Sequence, residues 1–286
     1  MSVLNCSPVP DHAATTFEVY AISFANMGDR PLSAFVSEGD STETTQVHCM
    51  MWLLKGSNGR SVLVDAGFQP DVPSATGSAT KEYIRPDQAM LSFGIRPEEI
   101  DDIIITHMHW DHVDGVDLFP NAEVWVQKAE FEYYVGDAWQ TGGTHRGIES
   151  RDVLKLVRLN TEGRLTLVDG DDQPIMDGIT VYTGPRHTYA SQYVGVSSAE
   201  GTVVIASDNV PTYANLETGS PPTTTFDPNA DLRAYDRMKQ IASSPDLIIP
   251  GHDGAVLTKY PKIAEGVVRV APSPILETPT GLSSVP

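Results

Sequence analysis

The sequence predicts an α/β fold built as one large domain. Its 286 residues are enough for two packed layers with helices outside them. Short segments rich in β-branched residues alternate along the chain with segments of helical spacing. Several of the β-like segments are followed directly by a histidine or an aspartate, as expected when loops on one rim of a sheet structure build a site.

The first part of the chain is predicted to hold an arm, three strands and a helix. Residues 1–16 are interpreted as an N-terminal arm of a domain that spans residues 17–270. Strands are predicted at residues 17–24, 47–54 and 61–64, which are rich in β-formers. Residues 25–45 contain glycine and proline and predict a loop. A helix that begins with Pro86 is predicted at residues 86–93.

The later elements follow the same alternation of strands and helices. A buried strand is predicted at residues 103–105, another at 122–126, and a helix at 128–135. The glycine-containing segment 136–150 is either a lid over a pocket or a connecting loop. Further predictions are a strand and turn at 179–186, β-like segments at 202–207 and 247–251, a helix at 229–243, and an extended tail at 271–286.

The run of residues 106–112, Thr-His-Met-His-Trp-Asp-His, directly follows the predicted strand at 103–105. An irregular loop at a strand end can turn alternate imidazoles toward one point, and neighbouring donors can serve a second point nearby. Nitrogen and carboxylate donors at this density suit zinc or a similar divalent metal, with bonds of roughly 2.0–2.2 Å. The run therefore predicts a metal site that contains His107, His109, Asp111 and His112.

Three more candidate ligands follow later β-like segments: His187, Asp208 and His252. Taken singly, a histidine at a strand end is commonly a capping or surface residue, but the first cluster makes these residues candidates for the same site. Two metals about 3.5–4 Å apart need a shared bridging group. An aspartate suits that role because its two oxygens can face different ions. The expected cofactor is therefore a pair of divalent ions, with zinc as the expected metal.

The His-x-His-x-Asp-His pattern after a strand resembles the hallmark of the metallo-β-lactamase superfamily. Residues 64–67, Val-Asp-Ala-Gly, look like the family's early Asp-x-Gly turn, and residues 251–252 look like its late Gly-His. The resemblance covers roughly residues 17–260 and implies a four-layer αββα sandwich. It also implies the assignment of the ligands: His107, His109 and His187 hold one metal, Asp111, His112 and His252 hold the other, and Asp208 bridges the two.

Within the superfamily the chain is most similar to the N-acyl homoserine lactonase group. Three features carry this similarity: Ser-Asp-Asn at residues 207–209, Gly-His-Asp-Gly at residues 251–254, and Trp110 before Asp111. The implied activity is the opening of a small lactone by a hydroxide that bridges two metals. Asp111 would move a proton to the leaving group as well as bind metal. Asp65 is expected to orient a ligand imidazole.

Two positions depart from the lactonase pattern. These lactonases usually carry a tyrosine three residues after the bridging aspartate, and Pro211 stands there in this chain. Since proline lacks the hydroxyl and fixes φ, either Tyr213 substitutes from a shifted loop or the role is absent. The second departure is Asp114, where relatives often have glycine. The expected substrate-binding residues are Trp110, Met27 and Trp139, whose character suits a compact, partly apolar ring.

Composition argues against several classes of partner. The formal net charge is −19, with 38 acidic against 19 basic residues, which disfavours nucleic acid and anionic membranes. No apolar run approaches the ~18–20 residues that span a bilayer, and the absence of Lys or Arg before Arg30 disfavours a signal peptide. With two cysteines, Cys6 and Cys49, a disulfide framework is not expected, and the expected location is the cytoplasm. The resemblance is compatible with a homodimer.

Other interpretations of the same residues stay open. The bond cleaved could belong to another small cyclic ester, a cyclic amide or a thioester, although thioesterases of the glyoxalase II kind normally carry a basic C-terminal helical region. A persulfide dioxygenase would use part of the same ligand set to hold one iron. A regulatory or structural metal protein would have no turnover, but a purely structural site has no need of an open dinuclear centre.

Overall fold

The computed structural model describes residues 14–75 and 80–270. Most of the predicted arm and all of the predicted tail lie outside the described residues. The strands are β1 (Phe17–Pro31), β2 (Thr44–Gly56), β3 (Ser61–Val64), β4 (Glu82–Tyr83), β5 (Asp102–Ile104), β6 (Glu123–Gln127), β7 (Leu165–Val168), β8 (Gln173–Met176), β9 (Ile179–Tyr182), β10 (Tyr193–Ser198), β11 (Gly201–Ser207), β12 (Ile248–Pro250), β13 (Lys262–Ala264) and β14 (Val267–Arg269). The α-helices are α1 (Pro86–Ser92), α2 (Trp110–Val113), α3 (Lys128–Val135), α4 (Ser150–Thr161), α5 (Tyr213–Thr218), α6 (Pro228–Ile241) and α7 (Val256–Lys259).

The strands form two sheets. In the first, β13, β14, β1, β2, β3, β5, β6 and β7 lie side by side in that order, and β4 pairs with β1. In the second, the order is β12, β11, β10, β9, β8. Strands β3, β5, β6 and β7 are parallel, and β11 is parallel to β12. Because parallel strands bring their carboxyl ends to one edge, the loops after them share a rim, where α/β proteins commonly bind ligands.

Three buried clusters divide the structure into four layers. One cluster joins the two sheets and contains Trp52 of the first sheet and Val194 of the second. Another lies between the first sheet and helices α1, α3 and α4, and it contains Leu53 and Leu156. The third packs α6 on the second sheet through Met238. The layers therefore follow the order helix, sheet, sheet, helix, which confirms the implied αββα sandwich.

Burial explains why the central strands were predictable. Strand β2 is buried continuously from Val47 to Leu54, since helices cover one face of its sheet and the second sheet covers the other. Helix α6 begins after Asp227, whose carboxylate accepts hydrogen bonds from the amides of Asn229 and Ala230. The predicted strands at 47–54 and 61–64 and the predicted helices at 86–93, 128–135 and 229–243 are confirmed to within a few residues.

The predicted loop at residues 25–45 is wrong in its first part. Strand β1 continues to Pro31 and remains paired with β2 as far as Thr44. Its register shifts twice, between Ser23 and Ala25 and between Asn26 and Gly28. Gly28 has a φ of 76°, which glycine adopts without a steric penalty from Cβ. Bulges of this kind keep a glycine-containing segment within a sheet.

Helix α4 lies outside every predicted element. It buries Val153, Leu156 and Leu159, which recur every three residues and share one face of the helix. The longest described helix, α6, has 14 residues, fewer than the ~20 that span a bilayer. Within the described residues, no helix combines the length and apolar character needed to cross a membrane.

Candidate metal centre

Loops that follow four strands bring the seven predicted ligands together. The loop after β5 leads into the short helix α2, and this segment contains His107, His109, Asp111 and His112. The loops after β9, β11 and β12 contribute one residue each: His187, Asp208 and His252. We call the region where these side chains meet the centre.

Four donor atoms form a first group. The Nε2 atoms of His107 and His187 each lie 3.0 Å from Nδ1 of His109. Asp208 Oδ2 lies 3.4 Å from His187 Nε2 and 3.8 Å from His107 Nε2. A tetrahedral ion with bonds of about 2.1 Å separates its donors by about 3.4 Å. The first group therefore has dimensions that suit one ion.

A second group lies on the other side of Asp208. His112 Nε2 lies 3.4 Å from Asp208 Oδ1 and 3.6 Å from Asp111 Oδ2. His252 Nε2 lies 3.4 Å from Asp111 Oδ2 and at similar distances from the two Asp208 oxygens, 3.0 Å from Oδ1 and 3.1 Å from Oδ2. Oδ1 of Asp208 thus lies nearest to His112, whereas Oδ2 lies nearest to His107 and His187. This is the geometry expected of a shared ligand.

Hydrogen bonds behind the rings fix which imidazole nitrogen faces the centre. His187 Nδ1 lies 2.9 Å from the carbonyl oxygen of Thr224, and His252 Nδ1 lies 2.8 Å from that of His48. Because a carbonyl only accepts, Nδ1 donates in both rings, and a neutral ring then presents a lone pair at Nε2. Lone pairs that converge in this way repel one another unless a cation lies between them, so the donor set fits divalent metal ions.

Two buried atoms support the same conclusion. His112 Nε2 and Asp208 Oδ1 have nitrogen or oxygen neighbours, but no neighbour among the described residues lies in hydrogen-bonding geometry with either atom. Buried polar atoms of folded proteins almost always have a partner, and an ion is one of the explanations for those that lack one. Both atoms belong to the second group, so a metal ion would satisfy them together.

The electrostatics of the centre match the needs of metal ligands. Burial, assisted by the neighbouring imidazoles, holds the pKa of His107 and of His109 well below the ordinary value. Burial has the same effect on His112 and His252, but it is outweighed by Asp208 together with other neighbours, Asp111 and Asp65 at His112 and Cys49 at His252, so the pKa of both rings is raised. Against its own burial, Asp208 has a pKa held well below the usual range by His252 and His112. His107 and His109 are therefore neutral, and the second group attracts positive charge.

Asp65 supports the second group from behind, as predicted. Its Oδ2 lies 2.8 Å from His112 Nδ1, and its carboxylate also accepts hydrogen bonds from Thr106 and Ser207. Asp65 and Ser207 both have a positive φ, 60° and 51°. Such a conformation costs non-glycine residues of order 1–3 kcal/mol and commonly marks functional sites. The sequence contained no signal for the part played by Ser207.

Two adjoining cavities open over the centre. The one we call the centre cavity, about 290 Å³, is lined by Trp110, Phe35 and Pro211 together with several of the ligands. The one we call the side cavity, about 190 Å³, is lined by Tyr134, Phe226 and a group of threonines beside His109 and His187. A larger cavity of about 530 Å³ beside β1 and β14 contains none of the seven candidate ligands. Trp110 therefore forms part of a wall beside the centre.

Two predicted substrate contacts, Met27 and Trp139, lie outside the walls of these cavities. Met27 packs against the buried cluster between the first sheet and helices α1, α3 and α4, and its sulfur lies 3.6 Å from Thr80 Oγ1. Trp139 stacks on His145 at 4.2 Å, and its indole nitrogen donates to the carbonyl of Tyr134. Neither side chain lines the two cavities over the centre. The walls come instead from residues farther along the same two segments: Ala34, Phe35, Thr144, Arg146 and Gly147.

Tyr213, the predicted catalytic residue, lines neither of the two cavities over the centre. Tyr213 begins helix α5, and its amide donates to the carboxylate of Asp253. Its hydroxyl lies 3.5 Å from that of Tyr260, and Lys259 Nζ lies 4.4 Å from the centre of its ring. The start of the helix therefore directs the side chain away from the cavities. Pro211 lines the centre cavity at the position where the lactonase pattern has tyrosine.

The sequence model of the metallo-beta-lactamase superfamily matches residues 44–252. The chain belongs to this superfamily. The N-acyl homoserine lactonase AiiA of Bacillus thuringiensis subsp. kurstaki is 26% identical over 162 residues, which are 56% of this chain and 58% of the relative. The N-acyl homoserine lactonase AttM of Rhizobium johnstonii is 28% identical over 179 residues, 61% of this chain and 66% of the relative. The matches thus span less than two thirds of these relatives.

Solved structures of the superfamily share the fold. A quorum-quenching N-acyl homoserine lactone lactonase has a TM-score of 0.68 at 21% identity, over 85% of this chain and 95% of that chain. AidC, described as a dizinc quorum-quenching lactonase, has a TM-score of 0.62 at 14% identity, over 92% of this chain and 99% of that chain. At these identities the likeness concerns the fold alone.

Proposed function

We propose that the protein is a hydrolase that opens a small lactone at a centre holding two divalent metal ions, with zinc as the expected metal. The observation that carries the proposal is the position of Asp208, whose Oδ2 contacts His107 and His187 while Oδ1 contacts His112. The nitrogen and oxygen donors suit zinc. The similarity to curated N-acyl homoserine lactonases supports the choice of a lactone over an amide or a thioester.

The proposed ligand assignment follows the two donor groups. His107, His109 and His187 would hold one ion, Asp111, His112 and His252 the other, with Asp208 between them. Bound ions would supply a Lewis acid for the ester carbonyl and lower the pKa of bound water to about 7. Asp65 keeps His112 oriented through the bond to its Nδ1.

We assign proton transfer to Asp111. Its Oδ2 is the oxygen given as nearest to Nε2 of both His112 and His252. Asp111 also lines the centre cavity, so its carboxylate can pass a proton to the ring oxygen as the ester bond breaks. Trp110 and Phe35 narrow the same cavity with apolar surface, which limits the water around the reacting ester.

A metal analysis combined with a lactone panel tests the proposal. We expect two divalent ions per chain and acid release from small lactones, followed with a pH indicator. His109→Ala should abolish acid release because it removes Nδ1 of His109, the ligand atom that lies beside Nε2 of both His107 and His187. His145→Ala is the matched control, since that ring stacks on Trp139 outside the ligand set. One iron per chain would favour the persulfide dioxygenase, and a two-metal protein that opens no lactone would overturn the proposal.

A further inference from the structure

The side chain of Arg146 occupies the junction of the two cavities. Arg146 lines both the centre cavity and the side cavity, as do the ligands His109 and His187. Its backbone is held in place, because it hydrogen-bonds to the imidazole of His109 and the next carbonyl, that of Gly147, accepts from the amide of Trp110 at 3.0 Å. An exposed arginine with an anchored backbone therefore stands beside the place where a substrate would enter.

Arg146 has no acidic partner in the part of the chain that the structure describes. Most of the other basic side chains pair with a carboxylate, for example Arg60 with Asp102 and Arg151 with Asp114. The chain carries 38 acidic residues against 19 basic ones, so partners for a guanidinium are plentiful. An unpaired arginine on such a chain, at the mouth of a site, leaves all its donors available to a ligand.

Two threonines whose hydroxyls are unengaged line the same space. Thr144 and Thr224 line the side cavity, and within the described residues no hydrogen bond engages either hydroxyl. The backbone of each is engaged, since the Thr144 amide donates to the Tyr133 hydroxyl and the Thr224 carbonyl accepts from His187. A guanidinium and two free hydroxyls form a donor set that matches the oxygens of a carboxylate.

The remaining walls of the side cavity are neutral. Tyr134 and Phe226 contribute aromatic surface, and none of the residues lining this cavity is acidic. Its volume of about 190 Å³ suits one substituent of a substrate better than a whole molecule. The centre cavity, about 290 Å³, would take the ring that carries the substituent.

We propose that the lactone opened by this protein carries a carboxylate, which binds in the side cavity to Arg146 with help from Thr144 and Thr224. The inference rests on the proposed lactonase function and narrows its substrate class. Addition of water across the ring ester would convert such a lactone to a hydroxy-dicarboxylate and release one proton. Without Arg146, the residues that line the two cavities would include no Lys or Arg, in a chain that is strongly acidic.

The test compares two lactones that differ only in charge. One is a five-membered lactone with a carboxylate on the ring carbon beside the ring oxygen, and the other is its carboxamide. We expect the wild type to prefer the acid, and Arg146→Gln to lower kcat/KM for the acid by about 10- to 100-fold. Opening of the carboxamide should fall much less than opening of the acid in Arg146→Gln. Arg146→Lys, which keeps the charge, should restore part of the preference.

Arg233→Gln is the matched control, because it removes the same charge from an exposed side chain of α6, which does not line the cavities. A second readout does not depend on turnover: the ring-opened diacid should raise the melting temperature of wild type and Arg233→Gln, but not that of Arg146→Gln. Equal use of both lactones by wild type, or equal stabilisation of all variants, would overturn the inference. Opening of no lactone would instead count against the proposed function, while the melting experiment would still decide whether the anion site exists.

Discussion

The carboxylate of Glu130 accepts a hydrogen bond from the backbone amide of Met108, with the nitrogen 3.1 Å from Oε1. The same carboxylate accepts from Thr188 Oγ1 and from the amide of Ala190, each at 2.6 Å. Glu130 is fully buried on α3, at the base of the centre. One side chain therefore holds the loop that carries His107 and His109 against the loop that carries His187.

Glu130→Gln should loosen both loops. In glutamine, an NH2 group replaces one of the two oxygens that accept from backbone amides. The amide that faces this NH2 group loses its acceptor, and a buried donor without an acceptor costs about 1–3 kcal/mol. We expect the free energy of unfolding, measured with urea, to fall by that amount and the affinity for metal to fall with it. Glu132→Gln, an exposed change on the same helix, is the control. Equal stability of the two variants would contradict this account.

Asp65→Asn should weaken metal binding more than it weakens the fold. Asp65 is fully buried and orients His112 through a hydrogen bond to Nδ1. Loss of such a partner typically lowers metal affinity by about 10- to 100-fold. Competition with a chelator measures this affinity. Asp101→Asn serves as control, because that exposed carboxylate also accepts a backbone amide, from Ser61. An unchanged affinity in Asp65→Asn would show that His112 is oriented by other contacts.

Gly147→Ala should disturb His109 directly. A Cβ at Gly147 would lie 2.6 Å from Cδ2 of His109, whereas a Cβ at Gly142 would meet nothing within 4 Å. Both glycines have a positive φ, 75° and 88°, so alanine pays a similar conformational cost at the two sites. Activity and metal content should therefore drop in Gly147→Ala and persist in Gly142→Ala. Equal losses of activity and metal in the two variants would show that backbone strain, and not contact with His109, causes the effect.

Asp152→Asn should change how stability depends on pH. Burial, together with the carboxylate of Asp114, raises the pKa of Asp152 to about 8. The folded state then keeps a proton that the unfolded chain releases near pH 4, so this group lowers stability as pH rises from about 4 to about 8. Asparagine cannot ionise and removes that trend. Urea unfolding across this range should show wild type losing stability relative to the variant as pH rises, and parallel curves would refute the assignment.

The candidate ligands could be predicted because their signals are local. His107, His109, Asp111 and His112 lie within six residues, and each later ligand follows a β-like segment. Strand ends in an α/β fold meet at a common rim, so the position along a strand was enough to bring these residues together. The assignment of Asp65 came from the resemblance and from the same logic.

The supporting residues could not be predicted, since their contacts join distant parts of the chain. Glu130 binds an amide 60 residues away, and nothing around it in the sequence marks it as buried. The direction of the Tyr213 side chain could not be predicted for a related reason: the first turn of α5 sets it, and that turn depends on hydrogen bonds with Asn215. Helix α4 did carry a periodic pattern, so its omission is an error of interpretation.

The centre joins the two halves of the sandwich. His107, His109, Asp111 and His112 follow a strand of the first sheet, whereas His187, Asp208 and His252 follow strands of the second. Any ion held by both sets must be released before the sheets can separate, so its binding energy adds to the work of pulling them apart. We therefore expect the melting temperature of this protein to rise with the concentration of free metal around it. Removal of metal should first appear as faster amide hydrogen exchange where the two sheets meet.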